Sequence, residues 1–487
     1  MKKLLSLFII TALLTASLFA CSKESVKPSG KKNNTEVTGE QNTLKLAYSK
    51  NDPLDPMLSQ TAINLRISKL VFDGLYKLDS SYEPIPVVAK SAVVGKNIVS
   101  VTINDFKFSD GMPVKTDDII KSFERAKESE AYKARLGNFI QAYPGSENSV
   151  IFDIESPDPY ALSCLDFPIV KESTDGSFPV GCGRYAYQRD GENIYLVVNG
   201  YRADFNPNFR TVNLEAVHES DSFESSLVIG NTAFSYNELN DGTYTRINAN
   251  NIDIGINNFI YLGFNMQHEF FSVPAVRKAV SLCLDRQKIA ASAFRSHARP
   301  AVTPFNPDWY AISDISSDNG ADVQGALEAI KASGIRPAMR EISILYNADN
   351  EFKADTAEII EENLENIGFY VRLNGFTKDA YLQALKSGGY DIYIGEVKLN
   401  NNMSLYPLFT GDAAFGIEED EAALLKYTDF VNGNCELIDF INTYSEDMPY
   451  APVCYRNGIA SYTKSMSGEF GGCDADVFYD IETWSLK

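Results

Sequence analysis

Glu341-Ile342-Ser343-Ile344-Leu345-Tyr346 reads as a strand, residues 352–367 as an amphipathic helix closed by Gly368, and Phe369-Tyr370-Val371-Arg372-Leu373 as the next strand. A second helix around residues 379–386 and the strand Tyr390-Asp391-Ile392-Tyr393-Ile394 follow. Strand, helix, strand, helix, strand implies parallel pairing through right-handed crossovers, hence a doubly wound α/β lobe. The half of the chain before residue 255 has another texture, richer in strands and poorer in helices. It opens on Leu44-Lys45-Leu46-Ala47-Tyr48, where apolar and polar positions alternate. Asn51-Asp52-Pro53-Leu54-Asp55-Pro56 interrupts that strand, and a helical stripe over 63–76 ends near Asp73-Gly74. The β-branched run Ile98-Val99-Ser100-Val101-Thr102-Ile103 is a strand, and Ser109-Asp110-Gly111 is a turn in which Gly permits positive φ and Asp can bond its own backbone. Thr116 is placed to cap the next helix, with Asp117 and Asp118 in its first turn. Two unlike α/β lobes imply a cleft between them.

Length agrees with that division. The chain has 487 residues and 54.0 kDa, and single cores stop growing near about 250–300 residues. With 44% hydrophobic and 12% aromatic residues, a disordered or collagen-like chain is excluded. Lys and Arg total 44 against 65 acids, a net −21. Such a field repels phosphate backbones, so nucleic acid is not an expected partner.

Met1-Lys2-Lys3 followed by the apolar run 4–20 has the charged start and short apolar stretch of a secretory signal, at the lower length limit for spanning a bilayer. The run ends at Leu18-Phe19-Ala20-Cys21, which resembles a bacterial lipobox, although Phe19 is bulkier than usual there. That resemblance implies a lipid on Cys21 and attachment to the membrane; an ordinary secretory leader beside a coincidental cysteine is the alternative. Residues 22–42 are nearly free of apolar side chains and read as a tether, whose reach as a flexible coil is about 25 Å. No later segment is long and apolar enough to span a bilayer. Six of the seven cysteines follow Cys21, and sequence leaves their pairing open; Cys283, on the apolar face of a helix, reads as a buried thiol. Without a Cys-x-x-C motif, and with only three scattered histidines, no structural metal site and no cofactor is expected.

Six stretches, in order, resemble the extracytoplasmic solute-binding proteins of ABC transporters, family 5, the oligopeptide- and dipeptide-binding class. They are Leu54-Asp55-Pro56 with Val71-Phe72-Asp73-Gly74-Leu75-Tyr76; Phe106-Lys107-Phe108-Ser109-Asp110-Gly111 running on to Asp118; Phe178-Pro179-Val180-Gly181-Cys182-Gly183-Arg184-Tyr185; Gly263-Phe264-Asn265; Val276-Arg277-Lys278-Ala279-Val280 with Leu284-Asp285-Arg286; and Met448-Pro449-Tyr450-Ala451-Pro452-Val453. Cys182 and Arg184 depart from the family pattern. Most of these residues are read as scaffold, with Asp285 capping the helix begun by Arg286. The resemblance implies a periplasmic-binding-protein-like α/β fold of the type II, large peptide-binding class, with two lobes around a ligand cleft and an extra subdomain in the first lobe. The expected division is a signal peptide over 1–20, a tether over 21–42, a first lobe over 43–255 (subdomain about 75–160) completed by 450–487, and a doubly wound second lobe over 256–449.

The same resemblance places ligand contacts on both lobes. In the resembled proteins an extended peptide pairs with main-chain groups as an added strand, and the segment holding Gln60, Thr61 and Ala62 would supply part of that edge. In the second lobe, the loop after Ile394 matches a stretch in which a Trp and, three residues on, an Asp that pairs the peptide ammonium are expected. Here those positions are Val397 and Asn400. Glu396 could take over the charge or be a solvated loop acid, and Asn400-Asn401-Asn402 could serve a ligand read by amide hydrogen bonds, such as a sugar. The implied function is capture of a peptide or similar small solute outside the cell by a lipid-anchored monomer, and delivery to ABC transporter permease subunits. A secreted hydrolase is the rival, but there is no Gly-x-Ser-x-Gly, no His-Glu-x-x-His and no Ser-x-x-Lys followed by Lys-Thr-Gly, so no catalytic residue is assigned. A non-transport receptor or chaperone on the same scaffold shares every motif.

Overall fold

The computed structural model describes residues 43–172, 178–217, 222–315, 320–417 and 421–487. The leader, Cys21, the tether and His218 lie outside them. The described residues form a mixed α/β structure around one eleven-stranded sheet.

On the first side of that sheet, Leu44–Ser49 is flanked in parallel by Thr211–Val217 and Phe234–Asn237, and the hairpin Tyr185–Asp190 with Asn193–Val198 extends it antiparallel. On the other side, Glu341–Asn347 lies between Ile392–Lys398 and Tyr370–Phe376, parallel to both. The intervening helices are Glu351–Glu365 and Lys378–Lys386, so the doubly wound order expected from sequence is the one found. Two long strands, Asn250–Phe264 and Tyr450–Tyr462, run antiparallel through the middle and join the halves. Two hydrophobic cores result. One is built from residues between Leu44 and Ile256 and closed by the segment from Ala460 to Trp484. The other collects residues from Phe259 to Ile459, with Leu78, Tyr82, Leu239 and Cys473 added from outside that range. The shared strands change core between Gly255 and Asn258, where their pairing register breaks. Ile256 is buried in the first core and Phe259 in the second.

A four-stranded antiparallel sheet, Ala89–Val94, Ile98–Ile103, Ser149–Ile154 and Phe139–Pro144, stands apart, covered by the helix Thr116–Glu128. Thr116 is not that helix's cap. It is the first helical residue, and the end is closed by Asp118, whose carboxylate accepts the Lys115 N–H at 2.9 Å. Asp285 does cap, accepting from Lys288 N at 2.9 Å, and Asp110 accepts the Met112 N–H across the turn at Gly111 (φ +85°).

The stretch Val180 to Tyr185 docks on the end of the helix Ala62–Val71. Gly183 N–H donates to Val71 O at 2.8 Å, and a Cβ on Gly181 would fall 2.0 Å from that same oxygen, so no larger residue fits. Arg184, one of the two departures from the family pattern, is buried and binds the C-terminal segment to the first core. It donates to Phe478 O at 2.7 Å and to Asp476 Oδ2 at 2.6 Å. All six cysteines here are free, and Cys283 is buried as expected.

Candidate functional site

A cavity of about 660 Å3 opens between the two cores, a size suited to a small solute. One wall comes from residues 134–138 and 155–160, the other from Trp309, residues 400–412 and the helix Ala422–Val431. Asn138 ties the two first-wall segments together, donating to Ser156 O at 2.9 Å and accepting from Ser156 N at 3.0 Å. Asp158, bracketed by two prolines, turns the chain by accepting Tyr160 N–H at 2.9 Å. The Tyr160 ring then crosses to the opposite core, edge-on to Trp309 with centroids 4.6 Å apart. The walls also meet through polar groups: Asn402 Nδ2 donates to Asp158 Oδ2 at 2.6 Å and Asn400 Nδ2 to Ala134 O at 3.4 Å.

Arg135 enters the cavity with its charge already engaged. Its guanidinium contacts buried Asp166 at 2.6 Å, and Lys69 Nζ reaches the same carboxylate at 3.1 Å. Burial would raise the Asp166 carboxyl, but the two cations outweigh it and hold the pKa below the usual value. Asp158 is shifted the opposite way: burial raises it, and the hydrogen bonds from Asn402 and Tyr160 offset that only in part.

Of the residues singled out from sequence, Asn400 lines this cavity. Gln60, Thr61 and Ala62 stand at the start of the helix Ala62–Val71 and are not among its walls. Asp52 holds the first two, accepting Gln60 N–H at 2.9 Å, Thr61 N–H at 3.2 Å and the Thr61 hydroxyl at 2.6 Å. Asp52 itself borders a larger cavity, about 920 Å3, whose lining includes Tyr48, Tyr187 and Arg189 and comes wholly from residues 48–194.

Glu396 and Val397 lie inside the strand Ile392–Lys398, which runs four residues beyond the expected end at Ile394. Glu396 is therefore not a solvated loop acid. Its side chain is largely buried, and it accepts from Asn258 Nδ2 at 2.8 Å, Arg456 Nη2 at 3.0 Å and Lys353 Nζ at 2.9 Å. Val397 is half-buried against the second core.

Lys398, one strand residue further, reaches back across the junction to Asp474 at 2.7 Å and Glu238 at 3.6 Å. Glu238 in turn pairs Arg66 at 3.1 Å. Burial would raise the Glu238 carboxyl, but Lys398 and Arg66 hold it down at about 2. Because the Lys398 side chain is half exposed, solvent screens this bridge, and Lys398→Met should cost roughly 1 kcal/mol of lobe-to-lobe attachment. Small-angle scattering without solute should then show a larger radius of gyration than wild type; equal radii at low and high salt would refute the bridge.

Asp158, Tyr160, Arg135 and Trp309 escaped the sequence reading. A signal did exist for the first two: Ser156-Pro157-Asp158-Pro159-Tyr160 is a short irregular stretch between a strand and a 3-10 turn, the kind of loop on which a rigid scaffold carries binding groups.

Two α/β cores threaded on shared strands, with a solute-sized cavity between them, define a solute-binding protein of the periplasmic-binding-protein class. Residues 83–414 match the profile of the bacterial extracellular solute-binding proteins, family 5 (middle), and the chain belongs to that family. It is 21% identical to the glutathione-binding protein GsiB of Salmonella typhimurium, over 85% of this chain and 89% of that one. It is 22% identical to the dipeptide-binding protein DppE of Bacillus subtilis, over 79% of each. The crystal structure of the ABC transporter substrate-binding protein CtaP from Listeria monocytogenes superposes with a TM-score of 0.68 at 19% identity, covering 92% of this chain and 99% of that one.

Proposed function

We propose that this protein captures a short peptide or peptide-like solute outside the cell, without transforming it, and hands it to an ABC transporter permease. A lipid on Cys21 would hold it at the outer face of the membrane as a monomer. The division into lobes over 43–255 with 450–487, and over 256–449, belongs to the same reading. What carries it is the cavity walled by both cores, with Tyr160 and Asp158 on one side and Trp309, Asn400 and Asn402 on the other. A solute seated there touches both lobes and so favours the closed arrangement over the open one. Asn400 is a direct contact in this proposal. Gln60, Thr61 and Ala62 shape the first-lobe approach, and Glu396 and Val397 support the strand beneath the Asn400 loop.

The reading is tested by stripping the protein of solute through unfolding and refolding, then titrating it with pools of di- to pentapeptides under small-angle scattering. The radius of gyration should fall in a saturable, stoichiometric manner. No compaction and no retained peptide by mass spectrometry, with the fold intact, would overturn it; cleavage of the peptides would favour a hydrolase.

A further inference from the structure

We propose that Asp158 is the anionic anchor for a cationic group of the solute, an α-ammonium or an equivalent amine; this rests on the reading that the solute occupies the cavity between the lobes. Three carboxylates line that cavity, Glu155, Asp158 and Asp412, and of these only Asp158 is half-buried, the others standing exposed. Among the described residues no Lys, Arg or His lies within ion-pair distance of it, whereas the neighbouring Asp166 is held by two cations. The donors that reach Asp158 are the Tyr160 N–H on one oxygen and the Asn402 amide on the other, both neutral. A carboxylate drawn into an aromatic pocket without a counter-charge is costly unless a cation arrives to pair it. The surroundings suit such a cation: Tyr160, Trp309, Tyr406 and Tyr427 are all cavity-lining, and aromatic faces attract ammonium groups.

The position of Asp158 also couples the anchor to closure. Its carboxylate touches Asn402 of the opposite lobe, so a cation seated on Asp158 comes within reach of the second-lobe loop at 400–402. The one basic side chain of the cavity lining, Arg135, gives its guanidinium to Asp166, which Lys69 shares, so among the described lining residues Asp158 is the half-buried charge with no partner of opposite sign. The cavity is thus built for the amino end of a ligand.

The test compares a library of free-amino di- to pentapeptides with the same library N-acetylated, retained by wild type, Asp158→Asn, Asp158→Glu and, as a control at an exposed acid outside the cavity lining, Glu365→Gln. Wild type and Glu365→Gln should hold the free-amino library at least ten-fold more tightly than the acetylated one. Asp158→Asn should abolish that preference, and Asp158→Glu should restore part of it. Equal preference in wild type and Asp158→Asn, or no preference in wild type, overturns the anchor. Retention of neither library by folded wild type instead overturns the peptide reading on which the anchor rests. Should Asp158→Asn fail to fold, the wild-type preference and the Asp158→Glu result still decide.

Discussion

Glu396→Gln should destabilise the protein by about 3 kcal/mol at neutral pH, measured by urea unfolding. Burial by itself would raise the Glu396 carboxyl, yet Lys353, Arg456 and the Asn258 amide outweigh it and hold the pKa at about 2 against an unperturbed 4.5. A downward shift of that size corresponds to about 3 kcal/mol of favourable interaction with the charged form. Glutamine keeps the shape but leaves Arg456, buried and already short of a partner at Nη1, beside an uncharged group. Because the folded-state pKa lies below the unfolded-state one, the wild-type advantage is complete above about pH 4.5 and drains away as pH falls towards about 2. The gap between wild type and variant should therefore close across that window. A gap that stays constant from pH 7 to pH 3 would show that the charge is not the cause.

Arg277→Ala should cost more, about 3–5 kcal/mol, because the arginine is the tie between two distant chain segments. Its side chain is 2% exposed and lies on the helix Pro274–Cys283. Nε donates to Asp447 O and Met448 O, each at 3.1 Å, Nη1 to Phe271 O at 2.9 Å, and Nη2 to Asp447 O at 2.7 Å and Asp447 Oδ1 at 3.1 Å. These bonds fix the left-handed residue Met448 (φ +50°), from which the chain enters the shared strand Tyr450–Tyr462. Truncation strands three buried carbonyl groups at once. Arg277→Lys should recover less than half the loss, since an ammonium cannot span the same fork of acceptors. Thermal and urea unfolding check both variants; a lysine variant within about 1 kcal/mol of wild type would refute the geometric account.

Much of the scaffold was legible because its signals are local. The strand Ile98–Ile103 and the parallel order of Glu341–Asn347, Tyr370–Phe376 and Ile392–Lys398 follow from apolar periodicity and short connections, and Asp285 announces its own cap. The reading failed where charge enters a strand. Gly395-Glu396-Val397-Lys398 looks like loop because strand interiors rarely carry two charges, yet both are satisfied here, Glu396 by Arg456 and Lys353, Lys398 by Asp474 and Glu238. Those partners lie tens of residues away, so no window of sequence shows them together. Thr116 failed for a nearer reason: the acid three residues past Lys115 already closes the helix end, and the hydroxyl was weighed instead. The site was less legible than the scaffold. The quality that singles out Asp158, the absence of a cation beside it among the described residues, belongs to the folded surroundings and to no motif. Arg184 shows the converse, a visible departure from the family pattern whose reason lies in the C-terminal residues Asp476 and Phe478.

The break in pairing between Gly255 and Asn258 has a mechanical consequence. On either side of it the two shared strands are laddered together, Asn250 to Gly255 against Tyr462 to Asn457 and Asn258 to Gly263 against Arg456 to Tyr450, the second ladder with a further register shift between Ile260 and Tyr261. A laddered ribbon resists bending in its plane, and of its two register shifts the one at Gly255 to Asn258 coincides with the change of core, so a relative rotation of the cores would be absorbed there as torsion. The lobes then act as levers about a fixed fulcrum. A small turn at Ile256 and Asn257 would grow in proportion to distance, so the largest displacements would fall at the parts of each core farthest from the break.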